Sequence, residues 1–236
     1  MRVNIYWLRH LKKRRGGRVA TQALRMLRFH NTPFGILLRN IFDVMESYRA
    51  KFTFPIVASI ALKNPELTRE IVRSGHEVAV HGFKHIKYIY YTEHQQEDDI
   101  KNALGAFKEI GIPVYGFRAP YNAYTDYTPK LIEKHCFLWD GGIGFNPKYK
   151  ESTRPFRVSV NGHMSSFVCL PLNEWSDDKM IDNYGFQSRQ VEETLKRVIK
   201  RASEKHGVVM FDLHPIRIGQ PQYINGLRRV LAYGTE

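Results

Sequence analysis

Along this chain, short β-rich runs alternate with stretches of helical periodicity, and a chemically capable residue stands where three of those runs end. That pattern restricts the fold more than any other feature. Residues 77–81 form an apolar run through Val78 and Val80 that ends on His81. Residues 114–117 end just before Arg118, which is followed by Ala119-Pro120-Tyr121. Residues 208–213 are β-rich and end before His214-Pro215. In α/β barrels the active site is built by loops at the C-terminal ends of the strands, which makes these three positions candidates for one.

The same patterns predict further strands over 23–29, 51–57 and 136–139. Helices are predicted over 35–48, 65–74, 92–110, 128–135, 188–205 and 224–233. In the first helix Ile36, Leu37, Ile41, Val44, Met45 and Tyr48 recur near helical spacing. Pro65 suits the first turn of the second helix, and Gly75 stands just past its end. Asn161-Gly162 is a hairpin dipeptide, expected to join strands over 157–160 and 166–170. With 236 residues, 43% of them hydrophobic, the chain has material for one barrel-sized core. Residues 21–236 are therefore read as a single domain behind a basic segment, 1–20. Alternation at this length favours a parallel α/β barrel.

His81 and His85 stand four apart. If a helical turn begins after His81, both face one way and can reach one ion. Neutral imidazole is a common ligand for zinc and its neighbours. Two unrelated surface histidines are the alternative in a chain with ten.

Over residues 25–233 the chain resembles the polysaccharide deacetylases, carbohydrate esterase family four. His81 and His85 fall on that family's H-x-x-x-H metal motif, and Arg118-Ala119-Pro120-Tyr121 on its R-x-P-[YF] motif. Trp139-Asp140 falls on its W/Y-D motif, and Leu213-His214-Pro215 on its terminal L-H motif. The resemblance implies a distorted (β/α) barrel of about seven parallel strands. It also implies a divalent metal, zinc with cobalt or nickel as alternatives, and removal of an N-acyl group from an amino sugar. The first motif departs. Where the family carries two aspartates, a catalytic base and a metal ligand, this chain has His30-Asn31. His30 could be a third imidazole ligand or the base, and Asn31 offers only a neutral carbonyl oxygen. A catalytically silent barrel that binds carbohydrate or a protein partner is the alternative reading.

The resemblance assigns further roles. A main-chain N–H at Tyr121 would help hold the oxyanion, with Trp139 and Leu213 lining the substrate. His214 would be the general acid and Asp140 the carboxylate that orients it. Arg118 pairs with the base carboxylate in the family; here it would need Asp140 or another acid. Plainer roles are a loop bridge for Arg118, a turn for Asp140 and a strand-end histidine for His214.

Charge is uneven. Ten Lys or Arg precede the first acidic residue, Asp43, and they carry most of the net charge of +13. The run over residues 9–18 is a solvated tail or an arm for anionic surfaces, including lipid-phosphate-linked sugars. No nucleic-acid module is visible, so nucleic acid is not expected as a partner. No secretory h-region opens the chain and no apolar run of membrane-spanning length occurs. The expected location is cytoplasmic, including peripherally at the inner membrane face. Cys136 and Cys169 read as two thiols rather than a disulfide.

Overall fold

A computed structural model of the chain describes residues 32–149 and 152–235. The predicted strand over 23–29, the basic segment 1–20 with its run at 9–18, and His30 and Asn31 all lie outside the described residues. The described strands are β1 (Thr53–Ile56), β2 (Glu77–Val80), β3 (Gly116–Phe117), β4 (Trp139–Asp140), β5 (Ser159–Val160), β6 (His163–Met164) and β7 (Val168–Cys169). The helices are α1 (Phe34–Ser47), α2 (Ala58–Lys63), α3 (Pro65–Arg73), α4 (Glu93–Glu109), α5 (Thr128–Lys134), α6 (Ser188–Glu204), α7 (Pro215–Ile218) and α8 (Pro221–Thr235). This is the expected α/β class. No helix among the described residues is long and apolar enough to cross a membrane.

The chain divides into two compact units interleaved in sequence. One holds residues 49–174 and 197–212. Its centre is a five-stranded sheet in the order β1-β2-β3-β4-β7, and every pairing in it is parallel. Val80 pairs with Phe117, and Phe117 with Asp140, so the residues that follow these strands emerge at one end of the sheet. A further parallel bridge joins Leu172 to Met210. Val78, Ala79, Val80 and Phe107 are buried, and so are Tyr88, Phe117 and Phe137, whose rings contact one another beside the sheet. Burial of both faces of a parallel strand is why β2 reads as a continuous apolar run.

α4 is the longest helix of that unit and the best specified. Thr92 accepts from the Gln95 amide at 3.3 Å, and the Gln95 side chain accepts from the Thr92 amide at 2.9 Å, which is a complete capping box. Its inward face carries Ile100, Ala103, Ala106 and Phe107, and also Gln96 and Asp99.

The second unit holds the described residues 32–48, 175–196 and 213–235. α1 buries Leu37, Leu38, Ile41, Val44 and Met45 and packs on α7 and α8. Asn40 donates to the Gly219 carbonyl at 3.0 Å, and Arg229 on α8 pairs with Glu192 on α6. Residues Lys179–Asn183 form one π-helical turn that buries Met180 and Ile181.

Three local expectations change. The hairpin at Asn161-Gly162 is real but its strands are β5 and β6; β7 within 166–170 keeps one antiparallel bridge, Phe156 to Cys169, and otherwise pairs in the parallel sheet. The run 208–213 is not a strand beyond the bridge at Met210. The Met210 amide donates to Pro171 as part of that bridge, and the Val208 amide donates to the Thr153 carbonyl. Finally, no helical turn follows His81; residues 81–87 are bends and extended chain.

Candidate active site

The loop after β2 places His81 and His85, and a buried carboxylate shapes it. Asp99, on the inward face of α4, accepts from the main-chain amides of Phe83 at 2.8 Å and Lys84 at 3.2 Å. It also accepts from the Tyr88 hydroxyl at 3.0 Å. A side chain from α4 thus answers two amides of a loop that makes no helical turn of its own. Gly82 turns the chain with φ of 71°; a Cβ there would fall 2.8 Å from an Asp99 oxygen. Burial pushes the Asp99 carboxyl above its ordinary range, against the pull of the two amides.

The histidines meet all the same. Their ring centroids lie 5.1 Å apart. The His81 Nδ1 is 2.8 Å from the Arg118 carbonyl oxygen. A carbonyl only accepts, so Nδ1 carries the proton, and Nε2 keeps the lone pair that a metal ligand needs. His85 is exposed, with its ring 4.4 Å from that of Tyr121.

Arg118 is buried and forms an ion pair with Asp212, and its Nε donates to Asn122 at 3.0 Å. The acid that the arginine requires is therefore Asp212, not Asp140. Tyr121 and Asn122 both adopt left-handed backbone, with φ of 61° and 51°.

Asp140 is fully buried and its carboxylate is engaged within its own unit. One oxygen accepts from the amides of Gly142 at 3.0 Å and Ile143 at 2.6 Å, and the other from the Tyr124 hydroxyl at 2.7 Å. Tyr124 in turn accepts from the Ala119 amide at 3.0 Å, so Asp140 braces the Arg118–Pro120 loop. Burial lifts its pKa to about 6. Trp139 points the other way. Its indole N–H donates to Glu77 at 2.9 Å, at the N-terminal end of β2, away from the end that carries His81. A substrate-lining role for Trp139 does not fit that position.

In the second unit His214 is held by Asp177, not by Asp140. Its Nδ1 lies 2.7 Å from one Asp177 oxygen, and its main-chain amide donates to the other at 2.6 Å. Asp177 is fully buried, which pushes its carboxyl up, while the His214 bonds oppose that. A carboxylate on Nδ1 fixes the tautomer and the orientation of the ring. Asp178 joins these two in a group whose ligand atoms lie within 4.8 Å of one another. Both Asp177 oxygens are already bonded to His214, so the group is organised as an oriented histidine. Leu213 is half-buried beside it.

Sequence reasoning missed Asp99, Asp177 and Asp212. Asp99 had a visible signal, being an acid at 99 among the inward positions 96, 100, 103 and 107 of a helix. Asp212 interrupts an otherwise apolar run.

Residues 23–137 match the family described as polysaccharide deacetylase. The peptidoglycan deacetylase of Helicobacter pylori is 33% identical over 148 residues, covering 52% of this chain and 50% of that protein. The chain thus spans about half the length of this relative. PuuE allantoinase superposes with a TM-score of 0.73 at 22% identity, covering 84% of this chain and 66% of that one. BA3943 of Bacillus anthracis, described as a CE4 family pseudoenzyme, superposes with a TM-score of 0.55 at 12% identity, covering 84% and 56%. At such identities the two structural likenesses concern the fold alone.

Proposed function

The chain belongs to the polysaccharide deacetylase family through residues 23–137, and on that premise we propose that it is a metal-dependent hydrolase removing an N-acyl group from an amino sugar. The observation that carries this reading is the His81–His85 pair, with the His81 proton fixed on Nδ1 by the Arg118 carbonyl. The donor set fits a zinc-like ion: two neutral imidazoles, to which His30 or Asn31 would add a third ligand. Cobalt and nickel suit the same donors. Such an ion would acidify a bound water and polarise the acyl carbonyl.

The remaining roles fall to the chain's own groups. His214, oriented by Asp177, would give its proton to the departing amine. The main-chain N–H of Tyr121 would support the oxyanion. Arg118 holds His81 through its carbonyl and Asp212 through its guanidinium, coupling a ligand to a carboxylate. Asp140 would act one step removed, by keeping the Arg118–Pro120 loop in place. The substrate class is a poly- or oligosaccharide of N-acylated amino sugars, as the name of the Helicobacter relative suggests, or a lipid-phosphate-linked sugar. The basic run at 9–18 would favour the latter form. A silent, carbohydrate-binding barrel is the second reading. It is favoured by His30-Asn31 standing where the family has two aspartates.

Elemental analysis and acetate release from N-acetylglucosamine oligomers test both readings. The wild type should hold near one equivalent of metal and release acetate. His81→Ala should lose both, and His214→Asn should keep the metal but lose activity by at least about 100-fold. A metal-free, inactive wild type after incubation with zinc would reject the hydrolase in favour of the binding barrel.

A further inference from the structure

Beside the histidine pair stands a lysine that the reaction does not use. Lys87 is half-buried, and its ammonium lies 5.3 Å from the centroid of the Tyr121 ring, within cation–π range. No carboxylate among the described residues pairs with it. The Tyr121 ring in turn rests against His85, 4.4 Å between centroids. Lysine, tyrosine and histidine thus form one contiguous stack that ends at the candidate ligand.

The stack is built rigidly. Lys87 opens a tight turn in which the Tyr90 amide donates to its carbonyl at 3.0 Å. Tyr88 anchors that turn in the core, its ring fully buried and its hydroxyl on Asp99, the carboxylate that also shapes the His81–His85 loop. Tyr121 is held in left-handed backbone, φ 61°, which is unfavourable for a residue with a bulky side chain. The residue is nevertheless 57% exposed, so burial does not explain why the strain is kept. Strain of this kind collects where a group must be held for a ligand. Ile89 and Tyr90 continue the exposed apolar surface next to Lys87.

Resting on the deacetylase reading, we infer that Lys87, propped on Tyr121, is a specificity residue that binds a carboxylate on the saccharide beside the N-acylated unit. The preferred substrate is then an acidic glycan rather than a neutral one. A positive charge fixed on an aromatic face, without a counter-ion among the described residues, loses little by exchanging water for a ligand carboxylate. The net charge of +13 draws such a polymer in.

Calorimetric binding and acetate release are to be compared for two probes of equal length. One is an N-acetylglucosamine oligomer; the other alternates N-acetylglucosamine with N-acetylmuramic acid and so carries a carboxylate on every second sugar. Wild type should bind the acidic probe about tenfold more tightly at low salt, and added salt should shrink the ratio. Lys87→Gln should bring the ratio near one, Lys87→Arg should keep it, and Tyr121→Leu should lower it in part. Equal affinities in wild type, an unchanged ratio in Lys87→Gln, or no binding of either probe would overturn the inference. A Lys87-dependent preference without acetate release would leave recognition standing and defeat the hydrolase reading alone.

Discussion

Gly82 and Asp99 decide where the histidine pair stands. The i, i+4 spacing suggested a helical turn, yet His81 and His85 meet on a loop whose amides are taken by Asp99. A Cβ at Gly82 would sit 2.8 Å from an Asp99 oxygen and 3.1 Å from the Lys84 carbonyl, in a backbone with φ of 71°. Gly111 supplies the comparison: φ is 70° there too, but nothing lies within 4 Å of the added carbon. Gly111→Ala should therefore carry only the left-handed penalty, about 1–2 kcal/mol. Gly82→Ala should carry that and the displacement of a buried carboxylate, at least about 2 kcal/mol more. Urea midpoints of the two variants read the difference, and equal midpoints would mean that Asp99 does not fix this loop.

Asp99 rides on α4, so the loop inherits the stability of a helix. Its N-terminus is closed by Thr92 and Gln95 exchanging bonds. Removing the hydroxyl in Thr92→Ala should lower stability by about 1 kcal/mol. The effect should show in hydrogen exchange of the first turn of α4, and a variant with the wild-type midpoint would show that the box is idle. Elements of this kind were legible in the sequence. α1, α3, α4, α5 and α6 lie within two residues of their predicted bounds because cap, period and stop agree along many residues. Two-residue strands carry no such redundancy. Phe117 and Asp140 are strand residues through pairing partners far along the chain, and the β-rich run before His214 finds such a partner at Met210 alone. The candidate residues of the two units show the same division. His81, Arg118 and His214 announce themselves as polar residues where apolar runs end. That Asp212 and Asp177 are their partners does not show, because a bond across 94 or 37 positions leaves no local trace of the pairing.

For the whole molecule, the arrangement of carboxylates sets how stability follows pH. Surface acids such as Glu97, drawn down to about 2 by Lys101 and Lys134, favour the folded state once ionised. The buried acids Asp99, Asp140 and Asp177 are all pushed up by desolvation and act in the opposite sense. Asp140 is the clearest, moving from an ordinary 3.8 to about 6. Between those values the folded chain keeps a proton that the unfolded chain has released. Its contribution therefore favours folding in full below 3.8 and is lost as the pH climbs through about 6. Asp140→Asn removes that titration while its amide oxygen can still accept from Gly142 and Ile143. The stability of the variant relative to wild type should then improve by about 2 kcal/mol between pH 4 and pH 7, at about 1.36 kcal/mol per unit. Urea unfolding at four pH values across that window measures it. A difference that stays flat would show that Asp140 remains ionised throughout, with Tyr124 and the two amides outweighing its burial.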